Sequence, residues 1–365
     1  PVLITAPYTR DLVLIGGGHA HALVLKAWGM EPLPGARLTV INPGPTAPYT
    51  GMLPGHVAGH YERDDLDIDL VRLCRHAGAR LILDKAVGID KAERKVLLEG
   101  RGPVSYDIAS FDVGITAKMD LPGFGKYGIG AKPLDKYADR WHSFLKQAIK
   151  GQVAPNVAVV GGGVAGCELA MAMAFALQSA GVSPRVTLIE VNEQISGVGD
   201  NVRQRILRAM NDLGIVIKTN AKVIEICADQ VCLEGQEPIA ATLCISTAGG
   251  FAHKWIAETD LPQRNGFIKI GADLSVIGDE TLFAVGDCAV MEKVLLPKAG
   301  VFAVRAAPIL QHNLRAALSG GRRKTWRPQN NYLKLISLGR RSATAEKFGL
   351  TLTGPWIWHW KNRQD

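Results

Sequence analysis

Asp11-Leu-Val-Leu-Ile-Gly-Gly-Gly-His-Ala-His21 is answered, far along the chain, by Asn156-Val-Ala-Val-Val-Gly-Gly-Gly-Val-Ala-Gly166. Each opens on a short apolar run that reads as a buried parallel strand. Each then breaks into three glycines and continues as a helical stretch. Without a Cβ, glycine lets backbone N–H groups approach a pyrophosphate closely. The helix that follows offers partial positive charge to the same anion. One such motif is a weak hint. Two point to a pair of dinucleotides on one protein, and so to electron transfer between them.

At 365 residues the chain is long enough for two or three domains. Its 47% hydrophobic content supplies an ordinary globular core. No stretch approaches the roughly 20 apolar residues of a spanning helix, and the first residues do not read as a signal peptide. The six cysteines look scattered, with no zinc or redox-disulfide spacing read among them, so reduced thiols and no metal site are expected. Residues 321–365 hold ten Lys/Arg and two acids, which is the whole net charge of +8. A neutral body with a basic tail argues against a nucleic-acid partner.

The periodicity places strands at 11–15, 37–41, 80–84, 88–90, 95–98 and 106–114, with helices at 19–29 and 67–78. Residues 42–48 read as loop and 121–133 as a Gly/Pro-rich connector. A helix over 134–150 leads into strand 156–160, helix 164–180 and strand 185–190. Beyond them come a helix at 206–213, strands at 215–218, 223–227, 241–246 and 282–285, and a helix at 301–317. The fold class is therefore α/β, with two Rossmann-like dinucleotide-binding domains and a C-terminal α+β segment. The expected boundaries are 1–120 with 271–320 for the first domain and 121–270 for the second, which interrupts it. Residues 321–365 form the basic, Trp-rich segment.

The two copies are not equivalent. In the second, Gly161, Gly163 and Gly166 complete the GxGxxG pattern, with Val164 opening the helix. Glu190, ending the next strand, is placed to accept hydrogen bonds from ribose hydroxyls and to repel a 2′-phosphate. NADH is thus favoured over NADPH. In the first copy Gly16 and Gly18 stand, but His21 replaces the third glycine and Asn42 the strand-end acid. His19 and His21 read as helix-face packing more readily than as catalysts. Gly286-Asp287 follows another strand, where a carboxylate can bind a ribityl hydroxyl.

Together these motifs resemble the pyridine nucleotide–disulfide oxidoreductase superfamily. Gly16–His21 and Phe283-Ala-Val-Gly-Asp287 resemble its FAD motifs, Gly161–Gly166 its NAD motif, and Thr247-Ala-Gly249 the turn that closes the NAD domain. More narrowly, Gly-Gly-Gly-His-Ala-His, Tyr49-Thr-Gly-Met-Leu-Pro-Gly55 and Lys298-Ala-Gly-Val-Phe-Ala-Val-Arg305 resemble the subgroup fused to, or encoded beside, selenophosphate synthetase. That subgroup is similar to type II NADH dehydrogenases and sulfide:quinone oxidoreductases. The resemblance implies FAD on the first fold. Gly16, Gly18, His19, Ala20 and His21 would belong to its pyrophosphate turn, and Asn42 and Pro43 to the adenosine side. Val87 would lie near adenine, Asp287 would hold the ribityl chain, and Thr50, Gly51, Met52, Leu53 and Pro54 would run beside the isoalloxazine. Gly114, Gly249, Gly286 and Phe302 complete the expected cofactor walls.

Glu168 matches the family acid near the junction of nicotinamide and flavin, as a positioning or proton-tuning group. Lys132 and Lys298, each beside a proline, are candidate cations for a reduced flavin. No CxxxxC follows the first helix, which argues against an internal dithiol for disulfide reduction. The expected activity is FAD-dependent NAD(P)H:acceptor oxidoreduction, NADH preferred, with a quinone-like or other small-molecule acceptor. The alternatives are a sulfide- or selenium-directed flavoprotein, and a flavin-bound interaction partner of selenophosphate synthetase. The expected location is cytoplasmic. The tail, with Trp356, Trp358 and Trp360 alternating in strand-like fashion, is a candidate contact for the inner face of a membrane or for a homodimer.

Overall fold

The computed structural model describes residues 8–116, 121–131, 134–294, 296–329, 333–347 and 350–364. Residue contacts divide the chain into two units. The first gathers Pro1–Pro48, Asp67–Ile115 and Phe251–Pro328, and the second gathers Tyr49–Leu66, Thr116–Gly250 and Gln329–Asp365.

In the first unit the strands Arg80–Leu83, Ala36–Asn42, Arg10–Ile15, Ile108–Phe111 and Asp279–Ala284 lie side by side, all parallel. Helices pack against this sheet, and its central strands Arg10–Ile15 and Ile108–Phe111 are largely apolar and buried. Ile108–Phe111 is buried at every position. Helix His19–Met30 packs between helices Leu70–Ala77 and Gly300–Ser319. Strand Arg10–Ile15 has its sequence successor on one side and a later strand on the other. Ligands of doubly wound sheets bind at the carboxyl end of such a strand, and Gly16–Gly18 begins there.

The sheet continues through Ser275–Val276, Phe267–Ile270 and Gln263–Arg264, all antiparallel. These short strands were not legible from periodicity. They bring residues 251–270 into the first unit, where the sequence reading had assigned them to the second domain. The loop expected at 42–48 ends in a strand, Thr46–Pro48, paired with Asp67–Asp69. The helix expected from 67 therefore begins at Leu70, where the Asp69 carboxylate accepts the Arg72 amide at 2.9 Å and caps it.

The second unit repeats the plan: Gly128–Gly130, Leu243–Ser246, Asn156–Val160, Arg185–Ile189 and Val216–Lys218 form a parallel sheet. Its central helix Val164–Ser179 is apolar nearly all round. It is enclosed by Tyr137, Trp141 and Phe144 of helix Leu134–Ile149, by Leu53 and Val57, and by Ile336 and Leu338. Residues 49–66 thus belong to this unit, because helix Leu53–Val57 packs on that central helix. Strands Val223–Ile226, Gln230–Leu233 and Gln236–Ala240 form a separate antiparallel sheet, of which only the first strand was expected.

The C-terminal residues fold into antiparallel strands Lys334–Ser337, Ala343–Lys347 and Leu350–Gly354, followed by helix Pro355–Gln364. The alternating tryptophans therefore lie on a helix, not a strand. Ile357 and Trp358 turn inward onto the small sheet, while Trp356 is 55% exposed. Among the described residues no helix is long and apolar enough to cross a membrane.

Candidate functional site: two glycine turns

In the first unit the turn after Arg10–Ile15 is pinned from three sides. The Gly16 amide donates to the Ile41 carbonyl at 2.8 Å, Gly18 to the Asp112 carbonyl at 3.1 Å, and Gly17 to Asn42 Oδ1 at 3.0 Å. Gly16 has φ +89°, and a Cβ there would lie 2.4 Å from the Asp112 carbonyl oxygen. Conformation and space therefore both demand glycine. Asn42 in turn donates to the Gly44 and Thr46 carbonyls, so its amide fastens the loop behind the turn.

Helix His19–Met30 begins with Gly18 as its cap residue, and no side chain of its own caps it. Asp112 does so from the adjacent strand end: its carboxylate accepts the Ala20 amide at 2.9 Å and the His21 amide at 3.1 Å. This fully buried carboxyl is pushed up to about 7, chiefly by loss of water and with a contribution from Asp287, against the pull of the two amides. Asp112 stands outside every motif legible in the sequence. Its signal in the sequence is a carboxylate directly after the buried strand Ile108–Phe111.

His21 serves the wall of the turn. It is fully buried, with Nδ1 2.7 Å from the Gly16 carbonyl and Nε2 2.8 Å from Ser110 Oγ. Burial holds its pKa down to about 4, so it is neutral. A carbonyl only accepts, so Nδ1 carries the proton and Nε2 accepts from Ser110. Both ring nitrogens are engaged within the protein, which removes the imidazole from direct contact with a dinucleotide. His19 instead lies against Gly300, where the long helix Gly300–Ser319 begins. That helix also has no side-chain cap and no acid in its first turn.

Two positively polarised helix N-termini thus meet beside Gly286 and Asp287. A Cβ at Gly286 would lie 2.7 Å from Asp112 Oδ1. Phe302 is buried in the first turn of the long helix, and an apolar pocket beside Asp287 is lined by Phe267, Leu274, Met291, Phe302 and Trp326. An anion at the helix ends, hydroxyls at Asp287 and an apolar wall are the features that FAD requires, and the residues present fit it. Lys298 donates to the Ala289 carbonyl at 2.7 Å, its ammonium 3.9 Å from the centre of the Phe267 ring. Val87 is exposed on the small sheet Ala86–Asp90, and Pro43 is exposed beside Asn42. Gly114 is left-handed, with open space at its Cβ.

In the second unit Gly161 has φ +109°, and its amide donates to Ile189 at 2.8 Å. Gly163 starts helix Val164–Ser179 with no side-chain cap. A Cβ at Gly166 would lie 1.9 Å from the Gly161 carbonyl oxygen, so the third glycine is what lets helix and strand touch. Glu190 is buried. One oxygen accepts the Gly162 amide at 2.5 Å; the other accepts the Asn192 amide at 2.8 Å and its side-chain nitrogen at 2.6 Å. Glu190 and Asn42 therefore share a task, each accepting the middle glycine's amide. Thr247 Oγ1 donates toward the Val160 and Gly161 carbonyls, and Gly249 is left-handed at the end of that turn.

Also in this unit, Glu168 Oε1 accepts the Ser337 amide at 2.7 Å, tying the C-terminal sheet to the central helix. Thr50–Met52 is a short 3₁₀ turn ahead of helix Leu53–Val57, whose Leu53 and Pro54 are buried. Lys361 Nζ donates to the Gly51 carbonyl at 3.3 Å. Lys132 lies outside the described residues.

The family model for pyridine nucleotide-disulphide oxidoreductases matches residues 10–308, a span holding both glycine turns and Gly286-Asp287.

The chain belongs to this family.

FAD and NAD(P)H are the cofactors of these oxidoreductases, and the chain is an oxidoreductase of this kind. It is 24% identical over 309 residues to the NADH dehydrogenase-like protein YutJ of Bacillus subtilis (strain 168), covering 83% of this chain and 82% of that one. It is 28% identical over 302 residues to the demethylphylloquinone reductase NdbB of Synechocystis, covering 78% and 73%. Among solved structures, NDH2 from Plasmodium falciparum in complex with NADH superposes with a TM-score of 0.84 at 14% identity, over 97% of this chain and 94% of that one. At that identity the likeness establishes the fold.

Proposed function

We propose that this oxidoreductase passes reducing equivalents from NADH, by way of FAD, to a quinone-like acceptor. The observation that carries the reading is the pair of unlike glycine turns, each opening a helix whose own cap residue is a glycine. One has Asp112 and Asp287 beside it; the other is closed by Glu190. The names of the relatives, NADH dehydrogenase-like protein and demethylphylloquinone reductase, support the donor and the acceptor class. FAD, when bound, supplies the flavin ring that accepts a hydride and releases electrons two or one at a time.

The chain's own residues bind and orient. Gly16, Gly18, His19 and Ala20 present the helix end to the FAD pyrophosphate, and Asp287 accepts ribityl hydroxyls. Gly161, Gly163 and Val164 do the same for NADH, whose ribose is read by Glu190. Glu190→Gln keeps one oxygen for the Gly162 amide but loses the charge that repels a 2′-phosphate. Its preference for NADH over NADPH is expected to fall by roughly tenfold, the scale of one charge-assisted contact.

A sulfide- or selenium-directed chemistry needs a reactive thiol, and the structure argues against one at the turns. Cys167 and Cys288 are buried, and burial pushes both thiols up to about 12. The basic tail remains a proposed contact for an anionic bilayer or a second copy. Part of its charge is already engaged: Arg323 pairs with Asp273 at 3.1 Å and Lys334 with Glu346 at 3.4 Å. Association with selenophosphate synthetase stays a proposal, tested by co-sedimentation of the two purified proteins.

Anaerobic rapid mixing of FAD-loaded protein with NADH tests the central reading. Bleaching of the flavin band, then its recovery on adding a short-chain naphthoquinone, is the expected sequence. Retained flavin with no bleaching would sink the donor assignment; bleaching without recovery would sink the acceptor.

A further inference from the structure

Strands Val223–Ile226 and Gln230–Leu233 form a tight hairpin, closed by the Cys227 amide donating to the Gln230 carbonyl at 2.8 Å. The register sets Glu225 opposite Cys232 and Ile226 opposite Val231. Alternation along strands then decides the faces. Ile226 and Val231 turn into the core and are buried. Glu225, Cys227, Gln230 and Cys232 share the outer face. Cys227 and Cys232 are spaced C-x4-C across the turn, a pattern the sequence reading passed over.

The Glu225 carboxylate and the Cys227 and Cys232 thiols bring their ligand atoms within 4.8 Å of one another. Gln230 Nε2 lies 3.9 Å from Cys232 Sγ on the same face. Both cysteines are partly exposed. Lys222, the hairpin's neighbouring base, is held by Glu234 at 2.8 Å rather than by Glu225. The remaining cysteines do not compete: Cys74, Cys167, Cys244 and Cys288 are buried, and burial raises each of them.

We propose that Glu225, Cys227 and Cys232 form a binding site for a thiophilic divalent cation, with Zn²⁺ the ion whose chemistry fits best. Two sulfurs and one carboxylate oxygen suit a tetrahedral d¹⁰ ion, with a water in the fourth position. Binding replaces each S–H bond by a metal–sulfur bond and releases both protons to solvent. No group changes oxidation state. The ion pins the hairpin of the second unit and takes no part in the chemistry of the glycine turns.

Cobalt titration of the reduced full-length protein tests this, with Co²⁺ as a coloured stand-in. A thiolate-to-cobalt charge-transfer band should saturate at one equivalent and be displaced by Zn²⁺. It should vanish in Cys227→Ser and in Cys232→Ser. Glu225→Gln should weaken binding by at least about tenfold, the scale seen even for groups that only support a ligand. Zn²⁺ should raise the melting temperature of the native protein but not of the serine variants, while bleaching by NADH stays as in the native protein. Absence of a saturating band overturns the proposal, as does a band that survives Cys227→Ser. Air oxidation of the two accessible thiols to a disulfide, with no cobalt uptake after reduction, overturns it in favour of a redox pair.

Discussion

Asp112 is a buried carboxyl with opposing obligations. It supplies the cap that helix His19–Met30 lacks, yet it lies within electrostatic reach of Asp287 and away from water. Its folded pKa of about 7 stands above the ordinary Asp value of about 4. Between those two pH values the folded protein holds a proton that the unfolded chain has released. Its contribution to stability is therefore lost as pH rises through that window, by at most about 1.4 kcal/mol per unit. His21, held down to about 4, works in the opposite sense up to about pH 6.5. The two offset in the native protein. Asp112→Asn keeps an oxygen for the Ala20 and His21 amides and removes the charge. Thermal melts across roughly pH 4 to 8 should show the variant's advantage over the native protein growing to about pH 7, then levelling. A constant difference would refute the buried-carboxyl assignment. Asp112→Ala, which strips the cap, should lower stability by about 1–2 kcal/mol at acid pH.

At the level of elements, the two copies solve one packing problem in two ways. A helix must approach the strand before it closely enough for the turn to cradle an anion. In the second copy this is achieved by absence: Gly166 abuts Gly161, and an added Cβ would meet its carbonyl oxygen at 1.9 Å. In the first copy it is achieved by a bond: His21 occupies the matching position, and its imidazole takes the Gly16 carbonyl at 2.7 Å. Gly166→Ala must push helix Val164–Ser179 away from its strand. The expected cost is about 1–3 kcal/mol, the range for overpacking, with weaker NADH binding and unchanged FAD content. Equilibrium denaturation and flavin absorbance read the two separately. Loss of FAD with NADH binding intact would contradict the division of labour between the turns.

At the level of the whole chain, the C-terminal segment is a structural part of the second unit. Ile336 and Leu338 join its core, Ile357 and Trp358 close the small sheet, and Ser337 is bonded to Glu168. Arg341 lies 5.7 Å from the Trp358 ring, and the His60 ring meets the same tryptophan edge-on at 5.5 Å. Removing residues 329–365 exposes several buried side chains, each worth about 1.5–3 kcal/mol. The truncated protein is expected to melt well below the native one and to lose the capacity to bind NADH. A truncation that melts natively and only ceases to sediment with anionic liposomes would favour the segment as a detachable anchor.

The glycine turns, Glu190 and Gly286-Asp287 were legible because a local pattern carries them: an apolar strand, a turn only glycine can make, then a helix. Such patterns need no knowledge of what lies across the sheet. Asp112, Ser110 and the true role of His21 were not legible, since their meaning depends on a strand about ninety positions away being the immediate neighbour of the first. The short strands at 263–276 were hidden for a related reason: each is too brief to show a period, and only pairing defines it. The strand-like rhythm of Trp356, Trp358 and Trp360 misled, because burial of Ile357 and Trp358 on the small sheet decides for a helix. The sequence by itself determined the α/β class, the two dinucleotide turns and their inequality, for these rest on local chain geometry. Only the tertiary structure decided which carboxylate caps the first helix, where the basic tail packs and that Glu225, Cys227 and Cys232 share one face of a hairpin, for those rest on contacts between residues that are distant in the chain or joined across a register.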